Sequence, residues 1–301
     1  MIEMLDTSSA AIATEFIRAR RRAGSPAMGM VMTLVVVVDE DHVTEAMASA
    51  QSASREHPAR VLGVILGSGR GSATVNAQVG IGNGWTGEAA LIRLSGAVVK
   101  HPESVVLPLL LPDSPVVVWW ACTPPKDPGK DPLGILAQRR ITDVAAAPHA
   151  RPSALLHQCQ EYAPGSTDLA WTRLTPWRAL LAAALDQHQE KVLSASITGE
   201  RVSPSADLLS AWLALRLRIT VSRSVSPGPG ITEVVLETKS GPIRLARHDG
   251  RLATLTSPGQ PDRPVALKRR TVAECLAEEL RRLDEDDTYA AAARKLVRMT
   301  T

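Results

Sequence analysis

The sequence has few aromatic residues and few cysteines. Of its 301 residues only 3% are aromatic, with six Trp, two Tyr and one Phe, so aliphatic side chains must fill most of the core. Its three cysteines, Cys122, Cys159 and Cys275, are odd in number and include no C-x-x-C pair. A disulfide framework is therefore not expected, which is typical of a reducing compartment, and nothing in the sequence points to a redox switch.

Long apolar runs and a strong charge of one sign are also missing. The longest apolar stretches, residues 31–38 and 105–111, are far shorter than the roughly 18 residues that a membrane span needs. The first 25 residues carry three acidic side chains and no apolar region of a secretory signal. A net charge of +3 from 34 basic and 31 acidic residues gives no nucleic-acid surface. These absences predict a cytoplasmic protein that binds neither nucleic acid nor membrane.

The first half of the chain alternates strand and helix patterns. Almost wholly apolar segments at 33–38, 61–66, 91–95 and 116–120 predict strands buried on both faces, centred on Val35, Leu62, Ile92 and Val117. Helices are predicted at about 8–22, with Ile12, Phe16 and Ile17 on one side, at 43–54 and at 101–109. The glycine-containing segment 67–87 is interpreted as loop with a short strand at 74–79. This order predicts an α/β domain with a mainly parallel sheet and flanking helices.

The second half has a different pattern. Thr175-Pro176 and Ser203-Pro204 each predict a helix that starts with a capping hydroxyl and an early proline. Predicted strands follow at 219–224, 231–238, 243–247 and 251–256, and two further helices begin at Thr271 and Asp287. We expect an α+β domain with antiparallel hairpins. The predicted domains are residues 1–165 and residues 166–301.

No motif in the sequence indicates catalysis, a cofactor or a metal. The segment Gly67–Ser72, reading GSGRGS, follows a predicted strand but is neither a G-x-G-x-x-G fingerprint nor a phosphate-binding P-loop. His149, His157 and Cys159 are possible ligand types, but their spacing fits no zinc pattern. We therefore predict no catalytic, cofactor-binding or metal-binding residue, although an absent motif does not exclude an enzyme.

Two segments have unusual compositions. Trp119 and Trp120 end a predicted strand, and adjacent strand residues face opposite sides of a sheet. Either both pack under helices, or one approaches the carboxyl edge of the sheet, where α/β proteins place their sites. The segment Gln138–Asp143, reading QRRITD, is expected to enter a neighbouring strand.

The second unusual segment, Asp168–Arg178, interleaves charged and aromatic residues before the N-terminus of a helix. Its arginines and the helix end are suited to a phosphate or a partner carboxylate, and the alternative is an internal Asp–Arg network. We expect both segments to form one regulatory or interdomain cluster where the sheet meets the second domain. Its predicted members are Trp119, Trp120, Arg139, Arg140, Asp143, Asp168, Trp171, Arg173 and Arg178.

Several blocks, taken in order, resemble the OpcA family. They read TLVVVV at 33–38, SREHPARV at 54–61, PLLLPDSPVVVWW at 108–120, DPLGILAQRRITD at 131–143, DLAWTRLTPWRALLAAALD at 168–186, SPSADLLSAWLA at 203–214, SPGQPDRPVALKRR at 257–270 and ECLAEELRRLD at 274–284. The resemblance extends over nearly the whole chain, with segment 67–87 matching least.

The resemblance implies a non-catalytic partner of glucose-6-phosphate dehydrogenase that assists its assembly and activates it allosterically. The redox control associated with some family members is not supported here, because the chain has no obvious dithiol. The alternative hypothesis is an enzyme or pseudo-enzyme that binds a sugar phosphate at Asp168–Arg178. A third is a scaffold that only holds the parts of the enzyme together.

Overall fold

The computed structural model describes residues 2–22, 29–81, 87–147, 153–188, 190–247 and 249–300. The chain forms two compact units whose segments alternate along the sequence. Unit 1 comprises Met1–Pro148, Ala163–Thr167 and Val272–Glu285, and unit 2 comprises His149–Tyr162, Asp168–Thr271 and Asp286–Thr301. The division of the sequence into domains at residues 1–165 and 166–301 stays a prediction.

Unit 1 is built around an eight-stranded sheet. Its strands are β1 (Ile2–Met4), β2 (Met32–Val38), β3 (Ala59–Leu66), β4 (Thr74–Ile81), β5 (Glu88–Ser95), β6 (Val116–Trp120), β7 (Arg139–Thr142) and β8 (Ser166–Asp168). They lie in the order β1-β4-β5-β3-β2-β6-β7-β8. Neighbours from β5 to β7 pair in parallel, whereas β4 is antiparallel to β5 and β1 to β4. The prediction of one mainly parallel sheet containing the Val35, Leu62, Ile92 and Val117 strands is confirmed.

Helices cover both faces of this sheet, which explains why its central strands are apolar throughout. Helix α1 (Ser9–Arg22) places Ile12 and Phe16 in a core that also holds residues of β3 and β5. On the opposite face, α2 (Val43–Ala53) sets Met47 against Gly63, where an added Cβ would lie 2.7 Å from the methionine sulfur. The prediction for Ile17 was wrong: it is 46% exposed, because it points away from the face shared by Ile12 and Phe16.

Two further predictions for unit 1 need adjustment. The helix predicted at 101–109 is a short α3 (Pro102–Val106) followed by a 3-10 turn at Leu107–Leu109, since Pro108 cannot continue the α-helical hydrogen bonding. The short strand expected at 74–79 is the longer β4, which closes against β5, so much of segment 67–87 is not loop. Residues 82–86 of that segment lie outside the described residues. Helix α8 (Val272–Arg281) completes unit 1 by packing on α2.

Unit 2 contains a six-stranded sheet and five helices among its described residues. The strands are β9 (Ser194–Gly199), β10 (Val221–Val225), β11 (Ile231–Thr238), β12 (Gly241–Arg247), β13 (Leu252–Thr256) and β14 (Arg263–Ala266), in the order β10-β9-β11-β12-β13-β14. The helices are α4 (Ala154–Gln160), α5 (Leu169–Thr172), α6 (Thr175–Gln187), α7 (Pro204–Leu217) and α9 (Asp287–Thr300). Helix α9 packs on α7 and α4.

The antiparallel meander predicted for unit 2 is confirmed from β11 to β13 and extends to β14, which was not predicted, but β10 does not belong to it. Strand β10 pairs in parallel with β9, because α7 forms the crossover between them. Ser203 caps α7 as predicted, with its hydroxyl accepting from the Ala206 N–H at 3.4 Å. Thr175 does not cap α6: Leu174 is the N-cap, and Thr175 is already the first helical residue. Within the described part of the chain, no helix is long and apolar enough to cross a membrane.

Candidate functional site

The parallel sheet of unit 1 has a topological switch point between β2 and β6. From β2 the chain moves to β3 and β5 on one side, and later to β6 and β7 on the other. Open α/β sheets bind ligands at the carboxyl ends of the strands that flank such a point. Here Asp39 directly follows β2 and Cys122 comes two residues after β6, while the Ala121 N–H donates to Val37 O at 3.0 Å and holds the two strand ends together.

Asp39, His42 and Cys122 form a compact polar cluster at this edge, with all their ligand-type atoms within 4.8 Å of one another. His42 Nδ1 lies 2.5 Å from Asp39 Oδ1, and the His42 backbone N–H donates to the same oxygen at 3.0 Å. The hydrogen bond and the charge of Asp39 raise the pKa of His42. Burial acts to raise the pKa of Asp39, but bonds from His42 and the Cys122 thiol outweigh it, and the pKa is lowered.

These pKa shifts limit the chemistry that the cluster can perform. Burial, together with the charges of Asp39 and Asp143, raises the pKa of Cys122. The thiol is therefore protonated at neutral pH and is a weak nucleophile. Zinc accepts oxygen, nitrogen and sulfur ligands, which are the types in this cluster. A structural zinc site takes four protein ligands, however, and the cluster offers three. Sequence reasoning missed the cluster because Cys122 lies about 80 residues after Asp39 and His42. The available signal was that Asp39 and Cys122 each follow a buried strand.

Five residues of the predicted cluster lie in unit 1. Trp119 and Trp120 are 1% and 3% exposed, on opposite faces of β6. Both are core residues, so neither lies open at the carboxyl edge. Trp120 packs in the α1-side core with Leu133 and Leu136. Asp143 is fully buried just after β7, where its charge acts on Cys122.

The two arginines of QRRITD follow the strand alternation and have different partners. Arg139, 3% exposed, pairs with Glu279 Oε2 of α8 at 2.6 Å and donates to Asp284 O at 3.1 Å. Thr167 Oγ1 of β8 donates to the same Glu279 oxygen at 2.8 Å. Arg140 points the other way and donates to the carbonyl oxygens of Gly134, Ala137 and Pro164 and to Ser166 Oγ. Together they join β7, β8, α8 and the loop before β7, a structural role within unit 1.

The other four predicted residues lie in unit 2. Asp168 is fully buried and caps α5 by accepting from the Ala170 N–H at 2.8 Å. Trp171 is buried, and its indole N–H donates to Asp286 at 2.8 Å. The Arg178 guanidinium lies 3.8 Å above the Trp171 ring and donates to Thr175 Oγ1. Arg173 is half-buried at the end of α5.

Trp171 and Arg178 belong to a longer stack that sequence reasoning did not anticipate. The Tyr289 ring of α9 lies 5.9 Å from Trp171, Tyr162 lies 6.1 Å from Tyr289, and the Arg294 guanidinium lies 5.6 Å from the Tyr162 ring. An arginine thus lies at each end of three aromatic rings. The stack places α4, α5, α6 and α9 against one another.

The structure therefore brings Arg139 to Glu279 in unit 1 and Trp171 to Arg178 in unit 2. That all nine residues form a single cluster stays a prediction. Of the weak metal candidates, His149 lies outside the described residues. Cys159 is buried in α4, and burial, followed by the charges of Asp168 and Asp207, raises its pKa to about 12.

Comparison with known proteins identifies two adjoining OpcA family models in the chain. Residues 50–161 match the model described as the N-terminal domain of a glucose-6-phosphate dehydrogenase subunit, and residues 164–293 match the model described as the C-terminal domain of that subunit. A curated relative, the putative OxPP cycle protein OpcA of Synechocystis sp., is 32% identical over 150 residues. The match covers 47% of this chain and 32% of the relative, about a third of its length.

Solved structures resemble the chain only distantly. An oxidoreductase from Sinorhizobium meliloti gives a TM-score of 0.46 at 10% identity, over 89% of this chain and 95% of that one. An E. coli structure described as trehalose-6-phosphate bound with UDP-2-fluoro glucose gives 0.28 at 10% identity, over 65% of each chain. These likenesses carry no functional argument.

Proposed function

This chain belongs to the OpcA family, and from that premise we propose that it is a non-catalytic assembly factor and allosteric activator of glucose-6-phosphate dehydrogenase, acting in the oxidative pentose phosphate pathway. The observation that carries the proposal is the pair of family models, which match in order over residues 50–161 and 164–293. Both are described as domains of a dehydrogenase subunit, so the dehydrogenase is the proposed partner.

The connections of the parallel sheet support a role without a nicotinamide cofactor. A dinucleotide fold binds the pyrophosphate where a glycine-rich turn opens a helix. Here the glycine-rich segment after β3 leads into strand β4, which offers no helix N-terminus. The turn from β2 into α2 does open a helix, but it reads Asp39-Glu40-Asp41-His42, and its three carboxylates would repel a pyrophosphate.

The candidate cluster at the switch point supports the same proposal. Cys122 is buried and protonated, and it donates to Asp39 instead of acting as a thiolate. All three cysteines are buried thiols outside any disulfide, which suits the reducing cytoplasm that we propose as the compartment.

The alternative of a sugar-phosphate enzyme at Asp168–Arg178 has less support. Asp168 caps α5, and Arg178 lies over the Trp171 ring and donates a hydrogen bond to Thr175. These groups have structural tasks within unit 2, so the segment is not adopted as a substrate site.

An activity titration tests the proposal. The purified chain is added to its cognate dehydrogenase while complex formation, kcat and KM are measured. We expect a stable complex and a change in kcat or in the substrate dependence, which distinguishes an activator from a scaffold that changes only the oligomeric state. The chain alone should neither oxidise glucose 6-phosphate nor reduce the cofactor. Turnover by the pure chain that a single substitution abolishes, or no complex at all, would contradict the proposal.

A further inference from the structure

Unit 2 contains a cavity of about 720 Å³ lined by the loops at one end of its sheet. This volume lies within the usual range of small-molecule pockets, roughly 300–1,000 Å³. The lining residues used below are Pro229, Arg247, Asp249, Arg251, Lys268 and Arg269. None of them belongs to the predicted cluster or to the switch-point site.

The lining is strongly basic. Its described residues include four cationic side chains, Arg247, Arg251, Lys268 and Arg269, and one carboxylate, Asp249, which gives them a formal charge of +3. Asp249 is already engaged in its turn, where its Oδ1 accepts the N–H groups of Arg251 at 2.8 Å and Leu252 at 2.9 Å. These two backbone bonds lower the pKa of Asp249. Its carboxylate therefore stays ionised and closes the β12–β13 turn, and it offsets only one of the four positive charges of the lining.

Two of the arginines are held without a carboxylate among the described residues. Arg247 donates to Ile231 O at 2.8 Å and lies 5.1 Å from the Trp177 ring centre, and Arg269 donates to Pro229 O at 2.8 Å. Burial and then the charge of Arg269 lower the pKa of Arg247 to about 10. Arg247 Nε is buried and has no hydrogen-bond partner within the described ranges. Arg247 is half-buried and Arg269 is exposed, so two guanidiniums that lie close together without a carboxylate partner in the described part of the chain are suited to hold an anion between them.

We propose that this cavity binds the phosphate group of a small phosphorylated molecule. A phosphate dianion offers several acceptors to the planar forks of Arg247 and Arg269, and Lys268 adds a further charge at the rim. Gly250 supports this arrangement: at its φ of +78° a Cβ would lie 3.1 Å from Arg269 Nε and crowd the guanidinium. The cavity size leaves room for the rest of a small ligand. This inference is independent of the proposed dehydrogenase partner.

Calorimetric titration of the full chain with pyrophosphate and inorganic phosphate tests the proposal, with citrate as a polycarboxylate of comparable charge. We expect saturable one-to-one binding of pyrophosphate and clearly weaker binding of citrate. Arg269→Gln should weaken the binding of pyrophosphate about tenfold or more, because it removes one charged guanidinium fork from the site. Arg247→Gln should weaken pyrophosphate binding in the same way. If Arg247→Gln does not fold, the Arg269→Gln result alone tests the proposal, because Arg269 is exposed and its substitution should not disturb the fold.

Arg244→Gln is the matched control. Arg244 lies three residues before Arg247 on the same strand, on the opposite face, where it pairs with Glu233 at 2.9 Å. The substitution changes the net charge by the same amount and should leave pyrophosphate affinity within about twofold, because the residue is outside the cavity. Three results would overturn the assignment: no saturable binding, equal loss in Arg244→Gln and Arg269→Gln, or citrate binding as tight as pyrophosphate. None of these readouts involves the dehydrogenase.

Discussion

Two arginines in each unit show two different ways of keeping a cation from water. In unit 1, Arg60 pairs with Glu88, which is fully buried and also meets Arg20, and Arg139 pairs with Glu279. In unit 2, Arg178 and Arg247 lie over the rings of Trp171 and Trp177. The first arrangement depends on a buried opposite charge, and the second leaves the cation partly exposed on an aromatic face.

This difference predicts different sensitivities to substitution. A buried ion pair adds little net stability, yet loss of one partner leaves an uncompensated charge in a low dielectric. A stacked arginine has given up less of its hydration, so loss of the ring contact costs less. The buried pairs of Arg60 and Arg139 should therefore respond strongly to the loss of one charge, and the stacked Arg178 and Arg247 should respond moderately to the loss of the ring contact.

The largest effect is expected for Glu88→Ala in unit 1. This substitution leaves Arg60, whose side chain is 9% exposed, without its carboxylate, and it should lower the free energy of unfolding by about 3–5 kcal/mol. Denaturant unfolding provides the measurement. Glu233→Ala is the control, since it breaks the more exposed pair with Arg244 and should cost less than about 1 kcal/mol. Equal losses of unfolding free energy in the two variants would contradict the expectation that a buried ion pair is more sensitive than an exposed one.

Arg173→Ala tests whether the half-buried arginine of unit 2 serves binding. If Arg173 is a contact for the dehydrogenase, its truncation should cost about 2 kcal/mol of binding, roughly thirtyfold in affinity, with little change in Tm. Activation and melting are measured on one preparation, with Arg216→Ala, an exposed arginine at the end of α7, as control. A loss of stability of about 3–5 kcal/mol would instead assign Arg173 to an internal ion pair. No change in either quantity would show that the site prediction is wrong.

Trp171→Phe tests the aromatic stack by keeping a ring but removing the N–H that donates to Asp286. Hydrogen bonds to charged groups contribute about 1.5–3 kcal/mol, and the Asp286 carboxylate retains its bond from the Tyr289 N–H. We therefore expect a loss of about 1.5 kcal/mol in thermal or denaturant unfolding. Asp286→Asn keeps an acceptor and should lose less. The opposite ranking would mean that the carboxylate charge matters more than the indole bond.

The smallest effect concerns the exposed Asp39–His42 pair at the carboxyl edge of unit 1. The raised pKa of His42 stabilises the fold below the ordinary histidine value, and this contribution is lost as the pH rises through the raised pKa. The lowered pKa of Asp39 stabilises the fold above its ordinary value, and this contribution is lost as the pH falls through the lowered one. The pair therefore stabilises the fold between the lowered pKa of Asp39 and the raised pKa of His42.

An NMR titration of His42 measures this coupling. Asp39→Asn should lower the pKa of His42, since the hydrogen bond to Asp39 is the main cause of the shift. Glu45→Gln, which removes a smaller electrostatic contribution, should lower it less. A His42 pKa unaffected by Asp39→Asn would contradict the geometry of the switch-point cluster.

Much of the architecture follows from local sequence. The apolar strands at 33–38, 61–66 and 116–120 predict burial on both faces, and hence a parallel sheet under helices, because only such a sheet hides both sides of a strand. Ser203-Pro204 marks the start of α7 because capping and proline geometry act within a few residues. The family resemblance likewise depends only on the order of residues.

Tertiary structure decided which distant residues meet. No local pattern pairs Arg139 with Glu279, 140 positions later, or places Asp39 beside Cys122. Strands β9 and β14 escaped prediction because they are short and half polar, and they become strands only by pairing with neighbours. Periodicity and capping operate within one or two helical turns, so the sequence by itself determined most helices and the apolar strands of this protein. A buried charge finds its partner only when the sheet order and helix packing bring remote segments together, so only the tertiary structure decided these pairings.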